Sequence, residues 1–269
     1  MTTNAKEWLH HLMGEARSAG IDHLDLLLNG AVLPEALLPP LLALSPAPEC
    51  QWLLEHTPEQ ALAHQGPVLL RIALGDQAHI AATAHLFTAV HAQFCVLALI
   101  SRWPFDKLAV QLRGATQATW NKGASSGVLR YYDTRLFRHF CEQLDPEQLA
   151  PFHGPVCRWH WIDHDGKKAS LCGLDINPQD HSALTGLTLS AAQVQPLHAL
   201  SAALQWLKKN DCTPAQHGFT SHEALIRCLT GIHLNLSRQQ LEKPQHEAFI
   251  ASALSEFPPL SLTPKKAAL

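Results

Sequence analysis

Apolar and polar positions change in blocks over the first 165 residues. The runs Leu24–Leu28, Gln51–Leu54, Val68–Leu74 and Cys95–Ile100 are short, largely apolar and bounded by turn residues such as Asn29–Gly30 and Gly66–Pro67. That is the length and composition of buried strands. Helical spacing fills the intervals. Glu35–Leu44 predicts a helix. Thr57–Pro58–Glu59–Gln60 predicts another, with Thr57 as cap, proline at the first helical position and Gln60 closing a capping box. Ala81–Phe94 carries Phe87, Val90 and Phe94 on one face, and Pro104–Leu112 follows the fourth run. Further on, Ala115–Trp120 and Val128–Tyr132 predict two strands joined by the polar loop Asn121–Gly127. Asp133 then caps a helix with Leu136, Phe137, Phe140, Cys141 and Leu144 inside, Asp145 opens a further capped helix, and Val156–Ile162 predicts a last strand.

Residues 57–68, TPEQALAHQGPV, are echoed by residues 145–156, DPEQLAPFHGPV. Both read as a capped short helix, a glycine stop and a proline-started strand. From Asp163 to Thr188 the chain turns polar, and after it the strand signal stops. Three helices are predicted beyond: one from Ser190 with Leu197, Leu200, Leu204 and Leu207 at heptad-like spacing, one over Glu223–Ile232 and one over Ser237–Leu254. The expected fold class is therefore α/β: a mixed-sheet N-terminal lobe with helices over residues 1–165, a linker or crossover over 166–188, a smaller all-helical lobe over 189–256 and a loose tail over 257–269.

Composition narrows the function. A net charge of −3 over 269 residues, with no basic stripe, gives no hold for nucleic acid. The longest unbroken apolar run, Phe94–Ile100, is too short to span a bilayer, and the N-terminus has no apolar run leading to a cleavage site. A cytoplasmic protein off the membrane is expected. Seven cysteines, an odd number placed mostly in apolar segments, suit reduced thiols. The 18 histidines exceed the 14 glycines, but they are scattered along the whole chain and read mainly as surface residues.

Candidate chemistry is sparse. Gly123–Ala124–Ser125–Ser126–Gly127 has the spacing of a hydrolase nucleophile elbow, which would make Ser125 a nucleophile. That elbow needs a helix after the serine, and a strand is predicted there. Cys157, His160, His164 and Cys172 are the best zinc candidates, yet their spacing fits no standard site, and Cys157 and His160 fall on opposite faces of a strand. Trp159 and Trp161 share one strand face, as core or as a partner-binding surface. Trp103 and Phe105 staple the corner at Pro104. No dinucleotide fingerprint, phosphate loop, zincin motif or calcium loop occurs.

An ordered set of segments carries a family resemblance over roughly residues 24–163. It begins with Leu53–Leu54–Glu55–His56–Thr57–Pro58, Leu62 and Gly66–Pro67–Val68–Leu69–Leu70, and continues with Ser101–Arg102–Trp103–Pro104–Phe105 and Leu112–Arg113. Leu129–Arg130–Tyr131–Tyr132–Asp133–Thr134–Arg135 is its most recognisable part. Leu144–Asp145–Pro146–Glu147–Gln148, Phe152–His153–Gly154–Pro155–Val156 and Arg158–Trp159–His160–Trp161 complete it. The set resembles the effector adaptors, or chaperones, of the bacterial type VI secretion system, a family long catalogued as a domain of unknown function. Thr134 stands where that family often has proline, and either residue can start a helix after Asp133. The resemblance implies a non-catalytic protein with no cofactor and no metal. It implies two partners, a VgrG-type spike protein and a cognate secreted effector. It also makes Arg130, Tyr132, Asp133 and Arg135 a structural network, with Trp103, Trp159 and Trp161 as structural or partner-contact positions.

Overall fold

The computed structural model describes residues 4–91, 93–180, 182–239 and 243–256. The chain divides into two compact units, Met1–Ala191 and Ala192–Leu269. The tail expected over 257–269 lies outside the described residues.

In the first unit the elements run α1 (Ala5–Ser18), β1 (His23–Asn29), α2 (Leu38–Leu42), β2 (Glu49–Trp52), β3 (Pro67–Ala73), α3 (Gln77–Val90), β4 (Val96–Ile100), α4 (Phe105–Ala115), β5 (Gln117–Trp120), β6 (Ser125–Val128), α5 (Thr134–Cys141), α6 (Pro146–His153), β7 (Arg158–Ile162), β8 (Lys168–Cys172) and β9 (Leu187–Thr188). Among the described residues, six strands form an antiparallel sheet in the order β2-β3-β1-β4-β7-β8. A small second sheet runs β6-β5-β9, with β9 parallel to β5. The mixed α/β class follows, with strands confined to this unit and α7 (Ala191–Asn210), α8 (His222–Gln239) and α9 (Lys243–Ser255) beyond.

Both faces of the large sheet are buried at its central strands, which is why β1, β3 and β4 read as near-continuous apolar runs. Side chains alternate across a strand. Leu24, Leu26 and Leu28 of β1, Val68, Leu70 and Ile72 of β3 and Ala98 and Ile100 of β4 join one core with Trp8, Leu12 and Ala16 of α1 and Leu86, Phe87 and Val90 of α3. Trp8 stacks on Phe87 at 4.7 Å between ring centroids, tying α1 to α3. The opposite face presents Leu27, Leu69, Leu97, Leu99 and Trp159, all fully buried. There α5 and α6 supply Phe137 and Phe152 against Trp159. The second unit has its own core of Ala203, Leu225, Leu229, Ile232, Leu236, Ile250 and Leu254. Glu247 of α9 fixes α7 by accepting hydrogen bonds from Trp206 and Lys209.

Several expected elements differ. The helix expected over Glu35–Leu44 shortens to α2, because Pro39 and Pro40 fit only its first turn. The strand expected over Val128–Tyr132 sits three residues earlier, as β6. At Arg130 the chain turns, with the Asp133 N–H donating to the Arg130 carbonyl, so Tyr131 and Tyr132 are both buried as neighbours on a strand facing water could not be. The linker expected over 166–188 holds β8 and β9 and belongs to the first unit. Asp163 makes the β7–β8 hairpin by accepting from the N–H groups of Asp165 and Lys167, and Gly166 supplies the left-handed turn residue at φ 70°. The sequence echo does not repeat in three dimensions. In α6, Gln148 reaches back to accept from the Asp145 N–H at 2.9 Å, completing the reach of a capping box. At residues 57–65 the Thr57 hydroxyl donates to the Leu54 carbonyl instead, and only a 3-10 helix, Gln60–Gln65, follows.

Candidate functional site

The charged groups placed with most constraint lie inside the first unit. The β1–β3 register sets Asp25 directly opposite Arg71. Asp25 is 0% exposed, and both its carboxylate oxygens accept from Arg71, at 2.7 and 2.8 Å. This bidentate geometry is the strong form of a charged hydrogen bond. The same guanidinium donates to the Trp103 carbonyl at 2.9 Å and lies 5.5 Å over the Phe105 ring. Burial pushes the Asp25 carboxyl up, and Arg71 and His23 oppose that shift. The indole N–H of Trp103 donates to the Ile176 carbonyl at 2.7 Å, so this residue ties the β4–α4 corner to the segment after β8. Sequence reasoning missed the pair because its members lie 46 positions apart and meet only through strand register.

A second network surrounds Asp133, which is buried at the start of α5. Its carboxylate caps the Arg135 N–H and accepts from the Arg135 guanidinium at 2.8 and 2.7 Å. Arg130 adds a third arm at 3.2 Å. Its partner Asp133, foremost, holds the Arg135 guanidinium above its ordinary range. Tyr132 is buried beside this network, and burial pushes its hydroxyl up. Asp133 thus does the work of a helix cap and an ion-pair hub at once.

Trp159 and Trp161 project from β7 into an aromatic cluster. Phe137 lies 5.1 Å from each, Phe152 stacks on Trp159 at 5.5 Å, and Tyr131 meets Phe152 edge-on at 5.2 Å. The Tyr131 hydroxyl donates to the Leu112 carbonyl, so this polar tip is satisfied in the core. Trp159 donates its indole N–H to Nδ1 of His153 at 3.0 Å, and burial lowers His153 to about 4. On the opposite face His160 is also lowered to about 4 by burial, with His11 edge-on at 5.7 Å. These two histidines are core residues held neutral, not surface ones.

The remaining candidates do not assemble into a site. Ser125 opens β6, its hydroxyl accepts from the Asn121 side chain at 3.1 Å, and the chain continues as strand, so the strand-to-helix elbow is not formed. Cys157 donates to Asp175, which also pairs with Arg102, and burial pushes its thiol up to about 12. His164 approaches the Arg135 carbonyl, His160 faces α1, and Cys172 is exposed on β8. Among the described residues no three His, Cys, Asp or Glu side chains are grouped to hold a metal ion. No helix among them is long and apolar enough to cross a membrane.

A further opening lies beside β8. It is a cleft of about 640 Å³ between that strand and α5–α6, with Leu149, Trp161 and Leu171 lining its interior and Arg138, Glu142, Asp163, Lys168 and the exposed Leu174 on its rim.

Residues 26–151 match the model of a family described as a domain of unknown function (DUF4123). The match begins inside β1 and ends inside α6. It takes in the Asp25-facing Arg71, the Trp103 corner and the whole Arg130–Asp133–Arg135 network. Neither the curated proteins nor the solved structures give a match to the chain.

Proposed function

We propose that the chain is a type VI secretion adaptor, a non-catalytic protein that binds a cognate effector and loads it onto a VgrG-type spike protein in the cytoplasm. The observation that carries this reading is the family match over residues 26–151, whose description as a domain of unknown function is the one under which the resembling adaptors were catalogued. The ordered segments of that resemblance occupy the same stretch and run a little past it. The fate of its charged residues supports the reading. Arg130, Asp133 and Arg135 are spent on each other and on a helix start, which is a scaffold's use of charge. Co-expression of the tagged chain with the products of its flanking genes tests the proposal. Stoichiometric recovery of a spike protein, or of a toxin that is insoluble when expressed alone, is the expected result. Recovery of neither, with the chain folded and soluble, would sink it.

A further inference from the structure

β8 is the last strand of the large sheet. Its register on β7 pairs Trp159 with Leu171 and Trp161 with Ala169. At the two ends, the Asp163 N–H donates to the Lys167 carbonyl and the Gly173 N–H donates to the Cys157 carbonyl. The odd-numbered residues of β8 therefore turn their amide groups toward β7, and Lys168, Ser170 and Cys172 turn theirs outward. Among the described residues no backbone group meets these three. Their side chains are exposed. An open edge of this kind is a template for one more strand.

The ground beside the edge is already shaped. The cleft wraps the outer side of β8 from Lys168 to Cys172 and reaches under α5 and α6. A strand added here alternates its side chains. One set enters among Leu149, Trp161 and Leu171; the other lies outside with Lys168 and Ser170. The rim charges decide what the strand carries. Arg138 is paired with Glu142 at 3.2 Å, and the Asp163 carboxylate is engaged by two backbone N–H groups of the hairpin turn. Lys168 has no ion-pair partner among the described residues. Lys168 is thus the rim charge left without a partner of its own.

We infer that the β8 edge and its cleft accept an extended segment of a partner polypeptide, apolar at alternate positions and bearing an acidic side chain for Lys168, as an additional strand of the sheet. Only the naming of that partner as an effector or a spike protein rests on the adaptor reading; strand addition itself does not. Main-chain hydrogen bonds give such docking its affinity and the side-chain cleft its selectivity.

Ser170→Pro tests it. The Ser170 N–H points away from β7, so proline there removes an outward donor and blocks the edge while leaving the β7 ladder intact. Ser170→Ala keeps the donor and serves as the control for folding. The full-length chain is used to select binders from a displayed library of short random peptides. Enriched peptides that alternate apolar and polar residues, carry an acidic position, and lose about tenfold or more in affinity for Ser170→Pro but not for Ser170→Ala are the expected result. Lys168→Glu weakens the same peptides. Amide exchange read residue by residue then slows at Lys168, Ser170 and Cys172 in the complex, whereas Ala169 and Leu171 are slow already. Enriched peptides that bind Ser170→Pro unchanged, an absence of enriched peptides, or a dimer of the chain that Ser170→Pro dissolves would each overturn the inference. Co-purified partners retained by Ser170→Pro remove the edge and leave the adaptor reading standing. Peptides that dock as described, with no partner from flanking genes, do the reverse.

Discussion

Removing one member of the Asp25–Arg71 pair should unsettle the first unit far more than removing both. In Asp25→Leu the Arg71 guanidinium stays largely buried and keeps the Trp103 carbonyl and the Phe105 ring, but loses its bidentate carboxylate partner. Breaking a buried pair in this way costs about 3–5 kcal/mol, because the surviving charge is stranded. Arg71→Met strands the carboxylate instead, with the His23 imidazole 3.8 Å away. The doubly substituted Asp25→Leu/Arg71→Met chain replaces both charges with apolar groups of similar size, and should return to within about 1–2 kcal/mol of the parent. Urea unfolding followed by tryptophan fluorescence reads this out. At a slope of about 2–3 kcal/mol/M, each single substitution moves the midpoint down by roughly 1–2 M. Acidity separates the two singles further. Without Arg71, burial is the main influence left on Asp25, and it raises the carboxyl above its unfolded value. The folded state then holds the proton more tightly, so Arg71→Met loses stability as pH rises from about 4 toward neutrality. The parent, with its pair intact, is less affected. A cost under about 1 kcal/mol for Asp25→Leu, or a double substitution as damaging as the two singles summed, would refute the reasoning.

Four further substitutions probe other parts of the frame. His153 and His160, lowered to about 4 from an unfolded value near 6.5, are bound by fewer protons when folded; stability is therefore full above about pH 6.5 and declines toward pH 4, by up to about 3 kcal/mol for each. His160→Phe, which also removes the unpartnered Nε2, should flatten that decline in a series of urea titrations against pH. Asp133→Asn keeps a capping side chain but loses the charge that holds Arg130 and Arg135, and should cost less than Asp133→Ala, for which about 2–4 kcal/mol is expected in thermal unfolding. Gly173→Ala places a Cβ 1.7 Å from the Val156 carbonyl oxygen; the backbone must shift there, and a loss of about 3 kcal/mol or an insoluble chain is the expected outcome of expression and melting.

What the sequence disclosed follows from how local each feature is. β1, β3 and β4 were legible because both sheet faces are buried there, so each strand is an apolar run. The Asp133 and Asp145 starts were legible because a cap is a contact within a few residues. Three things were not read. α1 presents a buried stripe of Trp8, Leu9, Leu12 and Ala16, diluted by Glu7, His10 and His11. β8 is an edge strand whose exposed Lys168, Ser170 and Cys172 give it the polarity of a loop, although Asp165–Gly166 is a turn signal just before it. The Asp25–Arg71 pair needs the register of two strands, which no local pattern supplies. Trp103, Trp159 and Trp161, expected as structural or partner-contact positions, all sit in the interior.

The order of strands in the large sheet has a consequence for where this protein begins and ends as a physical object. The family model stops at residue 151, inside α6, yet β7 lies between β4 and β8 in the hydrogen-bonded series, and Trp159 anchors the rings of α5 and α6. A fragment cut at the family boundary would expose the flank of β4 and take the keystone from the aromatic cluster. The segment that the family model matches and the segment that folds as one body are therefore different lengths of chain. The shortest piece able to stand alone must run past β9, to about residue 191, and must keep α1 at its front.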